Sequence, residues 1–357
     1  MMIRKSLIVF LFVFFLHFSC KEDTGTVSPV WPPNPSSDLT RKGKFISFSS
    51  NRSSSYDIWL AQVDTNGFLE TSGLIFPENP YNLTQTSQYD ETTSCWSPDG
   101  KILAYSRDDG TVKEIFSYFF NEDGSIDTTV TVNPKKIINS SLPVVDNNPC
   151  FAPNRLYMIW DRQTDINKDG KIDTSDKRDL YRGTVYGSGN SFVVTGIINI
   201  TNTPYADESN GKWSPRVFIG AAAYEYSTVT DKSDIYLIDP VNPDSLNKKY
   251  YGAGKCGSAA WSPSCDRIIF ESDPINSGIY KIAGTGYPIP GTPNNIVSSG
   301  NTSYRYPTRQ PNGNLIAFSE LRSGNTAIIL LIEASGGTPF KLLPQDFENH
   351  NNLYPSW

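Results

Sequence analysis

Short apolar runs bounded by turn residues recur along this chain: Ile102–Tyr105, Leu156–Trp160, Val217–Ala221, Ile268–Phe270 and Leu315–Phe318. Each predicts a β-strand. A polar turn precedes each run. The clearest is Ser97-Pro98-Asp99-Gly100-Lys101, where Pro presets one backbone angle and Asp-Gly takes the reversal. Another strand leads into the turn and ends at a marker residue: Trp96, Phe151, Trp213, Trp261 or Arg309, with Trp357 as a sixth copy. After the apolar run comes a third strand, centred on Ile115-Phe116, Leu180-Tyr181, Ile235-Tyr236 or Ile279-Tyr280. A fourth carries Asn82-Leu83-Thr84, Asn199-Ile200-Thr201 or Asn295-Ile296-Val297.

The markers at 96, 151, 213, 261, 309 and 357 are 55, 62, 48, 48 and 48 residues apart. A period of this length, in units of four strands, predicts propeller blades. The N-terminal unit has a second strand (Phe45–Phe48), a third (Asp57-Ile58-Trp59) and a fourth (Asn82-Leu83-Thr84), but no first. Leu353–Trp357 is a first strand with nothing after it. The two fragments make one blade. The expected fold is therefore all-β: a six-bladed β-propeller over 44–357, its ring closed by the C-terminal strand so that no sheet edge is left unpaired. Trp96-Ser97-Pro98-Asp99-Gly100-Lys101, with an apolar strand and then an Asp234-Ile235-Tyr236 type core, resembles the TolB-type and WD-like β-propeller repeat. The resemblance covers 44–357. It implies the propeller, not the role of TolB itself, since only a tether stands before residue 44 where that family has an α/β domain.

Residues 1–20 hold Arg4-Lys5, an apolar run from Leu7 to Phe18, and Ser19-Cys20. That is the shape of a signal peptide, and its end resembles a bacterial lipobox cleaved before an acylated Cys20. Lys21-Glu22-Asp23 resembles a surface-sorting signal of some Gram-negative lipoproteins. Residues 21–43, rich in Ser, Thr and Pro, read as a flexible tether. The expected address is the outer membrane, on its periplasmic or surface-exposed face, with membrane contact through the lipid anchor only.

Composition narrows the partners. The net charge of −6 includes Arg4 and Lys5, so losing the leader takes it to about −8, which disfavours nucleic acid. Of five Cys, four lie beyond the leader. Cys95 and Cys150 hold one position in neighbouring repeats, and Cys256 and Cys265 bracket Trp261. In an exported protein either pair could bridge, and spacing alone leaves both open.

The long 62-residue interval contains Asp165-Ile166-Asn167-Lys168-Asp169-Gly170-Lys171-Ile172-Asp173-Thr174-Ser175-Asp176. It resembles the twelve-residue calcium loop of EF-hand and dockerin type. Oxygen donors would come from Asp165, Asn167, Asp169, Asp173 and Asp176 and from the Lys171 carbonyl, with Gly170 at the sharp turn. The expectation is a structural Ca2+ clip over 165–176.

Catalysis finds little support. Beyond the leader the one His is His350, which rules out a multi-histidine metal site. Asp90, Glu91, Asp146, Asp207, Glu208 and His350 precede their markers by a few residues and are expected to gather at one channel mouth. The reading is a non-enzymatic, monomeric scaffold that binds an envelope or extracellular protein; the rival is a protein that captures or processes a carbohydrate.

Overall fold

The computed structural model describes residues 44–140, 143–215, 222–229, 232–252, 255–272, 278–283, 292–298, 302–311 and 313–357. Cys20, the leader, the tether and the expected run Val217–Ala221 lie outside them.

The described residues form six four-stranded antiparallel blades. Each starts with an inner strand that ends at or beside its marker: β4 (Asp90–Trp96), β8 (Val145–Phe151), β12 (Asp207–Trp213), β16 (Cys256–Trp261), β20 (Ser303–Arg309) and β24 (Asn352–Ser356). The second strands are β5 (Ile102–Asp108), β9 (Tyr157–Gln163), β13 (Ala222–Val229), β17 (Arg267–Ser272), β21 (Leu315–Arg322) and β1 (Phe45–Ser50). β1 pairs with β24 on one side and with β2 (Asp57–Gln62) on the other. The inner strands follow one another round a closed ring, β24 lying between β20 and β4. The C-terminal strand thus completes the N-terminal blade, as the half-units predict. Blades two and three also touch through two parallel bridges, Lys113↔Val145 and Ile138↔Val194.

Both faces of each second strand are buried, so these strands read as apolar runs rather than alternating ones. Ile102 and Ala104 pack toward the third blade, while Leu103 and Tyr105 pack toward the first. One hydrophobic cluster fills each of the six gaps between blades.

The turns after the markers repeat in their hydrogen bonds. Ser97 Oγ accepts from Ile102 N–H at 2.9 Å and donates to Asp99 at 2.6 Å. Ser262 does the same with Arg267 and Asp266. The fourth residue after the marker has positive φ: Gly100, Arg155, Cys265 and Gly313. Asp57 and Asp179, heading their third strands, each accept from the Asn and Thr of the fourth-strand signature, Asn82 and Thr84 or Asn199 and Thr201. The two sequence signatures are thus halves of one hydrogen-bond unit.

Candidate functional site: the central channel

Every inner strand is kinked at the same place. Thr93, Asn148, Asn210, Ser258, Tyr306 and Tyr354, each three residues before its marker, have φ between 36° and 56°. The ladder with the second strand breaks register at each of these positions. Such bulges bend a strand and re-aim its groups.

The second strands answer with a ring of polar residues at one station: Ser49, Ser106, Asp161, Glu225, Glu271 and Ser319. The three acids reach the next blade. Asp161 accepts the Asn210 N–H at 3.2 Å, Glu225 the Ser258 N–H at 2.6 Å, and Glu271 the Tyr306 N–H at 2.8 Å. Asn210 also donates its side-chain amide to Glu225 at 2.6 Å. The acids therefore satisfy donors that the bulges take out of the ladder. Burial pushes Asp161 up to about 6 and Glu271 up to about 7, against Arg178 and Arg305 respectively, and it raises Glu225 as well. With Arg178, Asn147, Asn148, Tyr306 and Tyr354, Glu225 and Glu271 line a polar chamber of about 250 Å³. Sequence reading missed it because its acids sit within or beside apolar strands.

At the marker end the channel widens into a cavity of about 1130 Å³, to which all six blades contribute. Trp96, Phe151, Trp213, Trp261 and Trp357 line it, with the turn prolines Pro98, Pro153, Pro215, Pro263 and Pro311 and with Pro355. The residues just before the markers form another ring on its wall: Cys95, Cys150, Lys212, Ala260, Thr308 and Ser356. Trp261 donates its indole N–H to the Lys212 carbonyl at 3.1 Å. The buried indole N–H groups of Trp96 and Trp357 find no acceptor among the described residues. Burial lowers the pKa of Arg309, whose Nε is likewise unpaired.

The predicted channel-mouth residues line neither the chamber nor the cavity. Asp90 is exposed and accepts the Tyr56 N–H at 2.9 Å. Glu91 is fully buried between Arg107 Nε at 2.9 Å and Thr86 at 2.7 Å, and burial pushes it up to about 7. Asp146 is buried under a bidentate Arg162 at 2.6 and 2.7 Å and the Trp160 indole at 3.1 Å. Asp207 pairs with Arg178. Glu208, buried beside Asp179, Thr201 and Thr203, is opposite Tyr226, where the previous two blades have Arg. Neither carboxyl oxygen has a well-formed hydrogen bond, and burial, outweighing the nearby Thr201 and Thr203 hydroxyls, pushes it up to about 8. His350 is half-buried and uses its carbonyl to hold Ala327 and Asn352.

The 165–176 loop joins β9 to the third strand β10 (Arg178–Tyr186), as expected. Asp176 is its buried centre and accepts the N–H groups of Ile166 and Asp173. Asp165 accepts from Asp169 and Gly170. Asn167 donates to Asp169, which accepts from Lys171, while Asp173 accepts from Ser175. Among the described residues no three His, Cys, Asp or Glu converge on a metal-sized site.

Six four-stranded blades around a channel define a β-propeller. No family model and no curated protein matches the chain. Solved structures do resemble it. TolB from Acinetobacter baumannii superposes with a TM-score of 0.58 at 17% identity, over 89% of this chain and 67% of that one. A putative TolB from Agrobacterium tumefaciens gives 0.54 at 14%, over 87% and 96%. A chain of the nidogen/laminin complex gives 0.61 at 7%, over 87% and 97%. In fold the chain is a β-propeller similar to these.

Proposed function

We propose that this protein is a lipid-anchored envelope scaffold that binds a protein partner at the marker end of its channel. The single observation behind this reading is the aromatic and proline-walled cavity, to which all six blades contribute and whose wall carries Lys212 and Arg309. Rigid aromatic and proline walls interleaved with polar groups and the cations Lys212 and Arg309 suit an inserted protein loop, packed on the rings and hydrogen-bonded through its carbonyls or acids. The nidogen/laminin complex offers a parallel, a propeller of this shape found in a protein–protein complex. Anchoring at Cys20 and placement in the outer membrane belong to the same proposal, motivated by the leader; no helix among the described residues is long and apolar enough to cross a membrane.

The test is capture from solubilised envelope with residues 21–357 as bait. Lys212→Glu with Arg309→Glu is expected to abolish a stoichiometric protein partner, and Asp90→Lys to leave it bound. Loss with Asp90→Lys alone would move the site to the acidic end. Turnover of a polysaccharide by the same bait would replace the scaffold with the carbohydrate reading.

Calcium in the 165–176 loop is part of the proposal. The oxygen donors of Asp165, Asn167, Asp169, Asp173 and Asp176 and the Lys171 carbonyl suit a hard cation. Saturating calcium is expected to raise the melting temperature by several degrees over the chelated protein, in keeping with linkage to a native-state ligand, and Asp165→Ala to remove the difference. A melting curve indifferent to calcium would reduce the loop to a hydrogen-bonded surface turn.

A further inference from the structure

The cavity wall holds two thiols that the binding proposal does not use. Cys95 and Cys150 occupy one station on adjacent inner strands, β4 and β8, immediately before Trp96 and Phe151. No ladder hydrogen bond joins these strands in the described pairings. The thiols pack together in the gap between blades, and each Sγ donates to the carbonyl of the residue that follows it, Cys95 to Trp96 at 3.4 Å and Cys150 to Phe151 at 3.7 Å. Cys150 also accepts the Trp213 N–H of the next blade at 3.3 Å. The next station on the ring is Lys212, a cation beside the pair.

We propose that Cys95 and Cys150 are a redox-active dithiol in the channel wall that closes to an inter-blade disulfide by exchange with a small disulfide. The nucleophile is a thiolate. The Trp213 N–H, 3.3 Å from its sulfur, and the Lys212 cation both favour a negative charge on Cys150, which makes it the nucleophile of the pair. Cys150 thiolate attacks one sulfur of R–S–S–R and expels R–S⁻, which takes up a proton. Cys95 loses its proton and attacks the Cys150 sulfur of the mixed disulfide, expelling the second R–S⁻, protonated in turn. The protein dithiol is oxidised by two electrons and the small disulfide is reduced to two thiols. The 1130 Å³ cavity gives the small disulfide its approach. Cys256 and Cys265 do not line that cavity, and the Cys256 thiol bonds Ser272.

The experiment equilibrates the full chain in glutathione buffers of graded ratio, both from the native state and by refolding, so that burial does not limit access. After quenching, free thiols are alkylated and peptides are mapped without reduction. The expected result is a Cys95–Cys150 linked peptide that grows with the oxidised fraction, while Cys256 and Cys265 stay alkylatable. Cys95→Ser should leave Cys150 carrying one glutathione, and Lys212→Gln should slow closure several-fold near neutral pH. Cys95 and Cys150 alkylatable at every ratio after refolding would overturn the proposal, as would a linkage that joins other cysteines.

Discussion

Three acids occupy one position, five residues before their markers, and their fates differ. Glu91 and Asp146 have an arginine across the hairpin, sixteen residues further on, whereas Glu208 has Tyr226. In sequence they looked like one acidic surface, because an acid is visible but its cross-strand partner is not. Knowing the hairpin register would have placed Arg107 and Arg162 over the first two. Arg162→Met should destabilise the fold by about 3–5 kcal/mol, since it leaves Asp146 buried and unpaired; a double change with Asp146→Asn should recover part of the loss in urea denaturation. Glu208 sets a pH dependence. Its folded pKa, about 8, is above the ordinary glutamate value of 4.5, so the folded state holds the proton that the unfolded chain releases. The stability Glu208 contributes in this way is full below pH 4.5 and declines as pH rises toward 8. Glu91 and Glu271, each near 7, act in the same direction. The urea midpoint is expected to be lower at pH 8 than at pH 5, and Glu208→Gln to flatten the difference by a few kcal/mol at most.

At the scale of the strand, the bulge repeats where the residue does not. Thr, Asn, Asn, Ser, Tyr and Tyr hold the six kinked positions, so no sequence pattern announced them, although Asn tolerates positive φ better than most residues. The turn after each marker was legible, because Ser, Asp and Gly take part through their own chemistry. Arg155 and Cys265 show that the geometry survives where Gly is replaced. Asn210 is the informative bulge, with a positive φ and an amide bonded to Glu225. Asn210→Ala is expected to cost about 2 kcal/mol, from the lost hydrogen bond and the backbone strain together. Asn210→Gly should restore the backbone share. Comparing their melting curves separates the two.

Over the whole molecule, blade number, order and closure were readable from the sequence because they follow from period alone. The contents of the channel were not. They depend on which of two alternating faces a residue takes and on what the neighbouring blade presents, and neither is written locally. The six interblade clusters make the ring one cooperative body, with the β1–β24 pairing as its clasp. Removing residues 352–357 should leave β1 with a bare edge and a gap beside β20. The expected outcome is a broadened, less cooperative melt and association through the exposed edge, seen as a shift to larger species in size-exclusion chromatography. An unchanged monomer with a sharp transition would show that closure contributes little.

The clasp also fixes an order of events. Ser47 bonds the carbonyl of Ser356, 309 residues further along the chain. Chains emerge N-terminus first, so β1 waits for a partner made about 300 residues later. Until then the first blade is a three-stranded sheet with an open side, in need of protection while the other five assemble. Such late pairing across long separation favours slow final folding, and it makes a ribosome stall or a protease nick near the C-terminus as damaging to the first blade as a lesion within it.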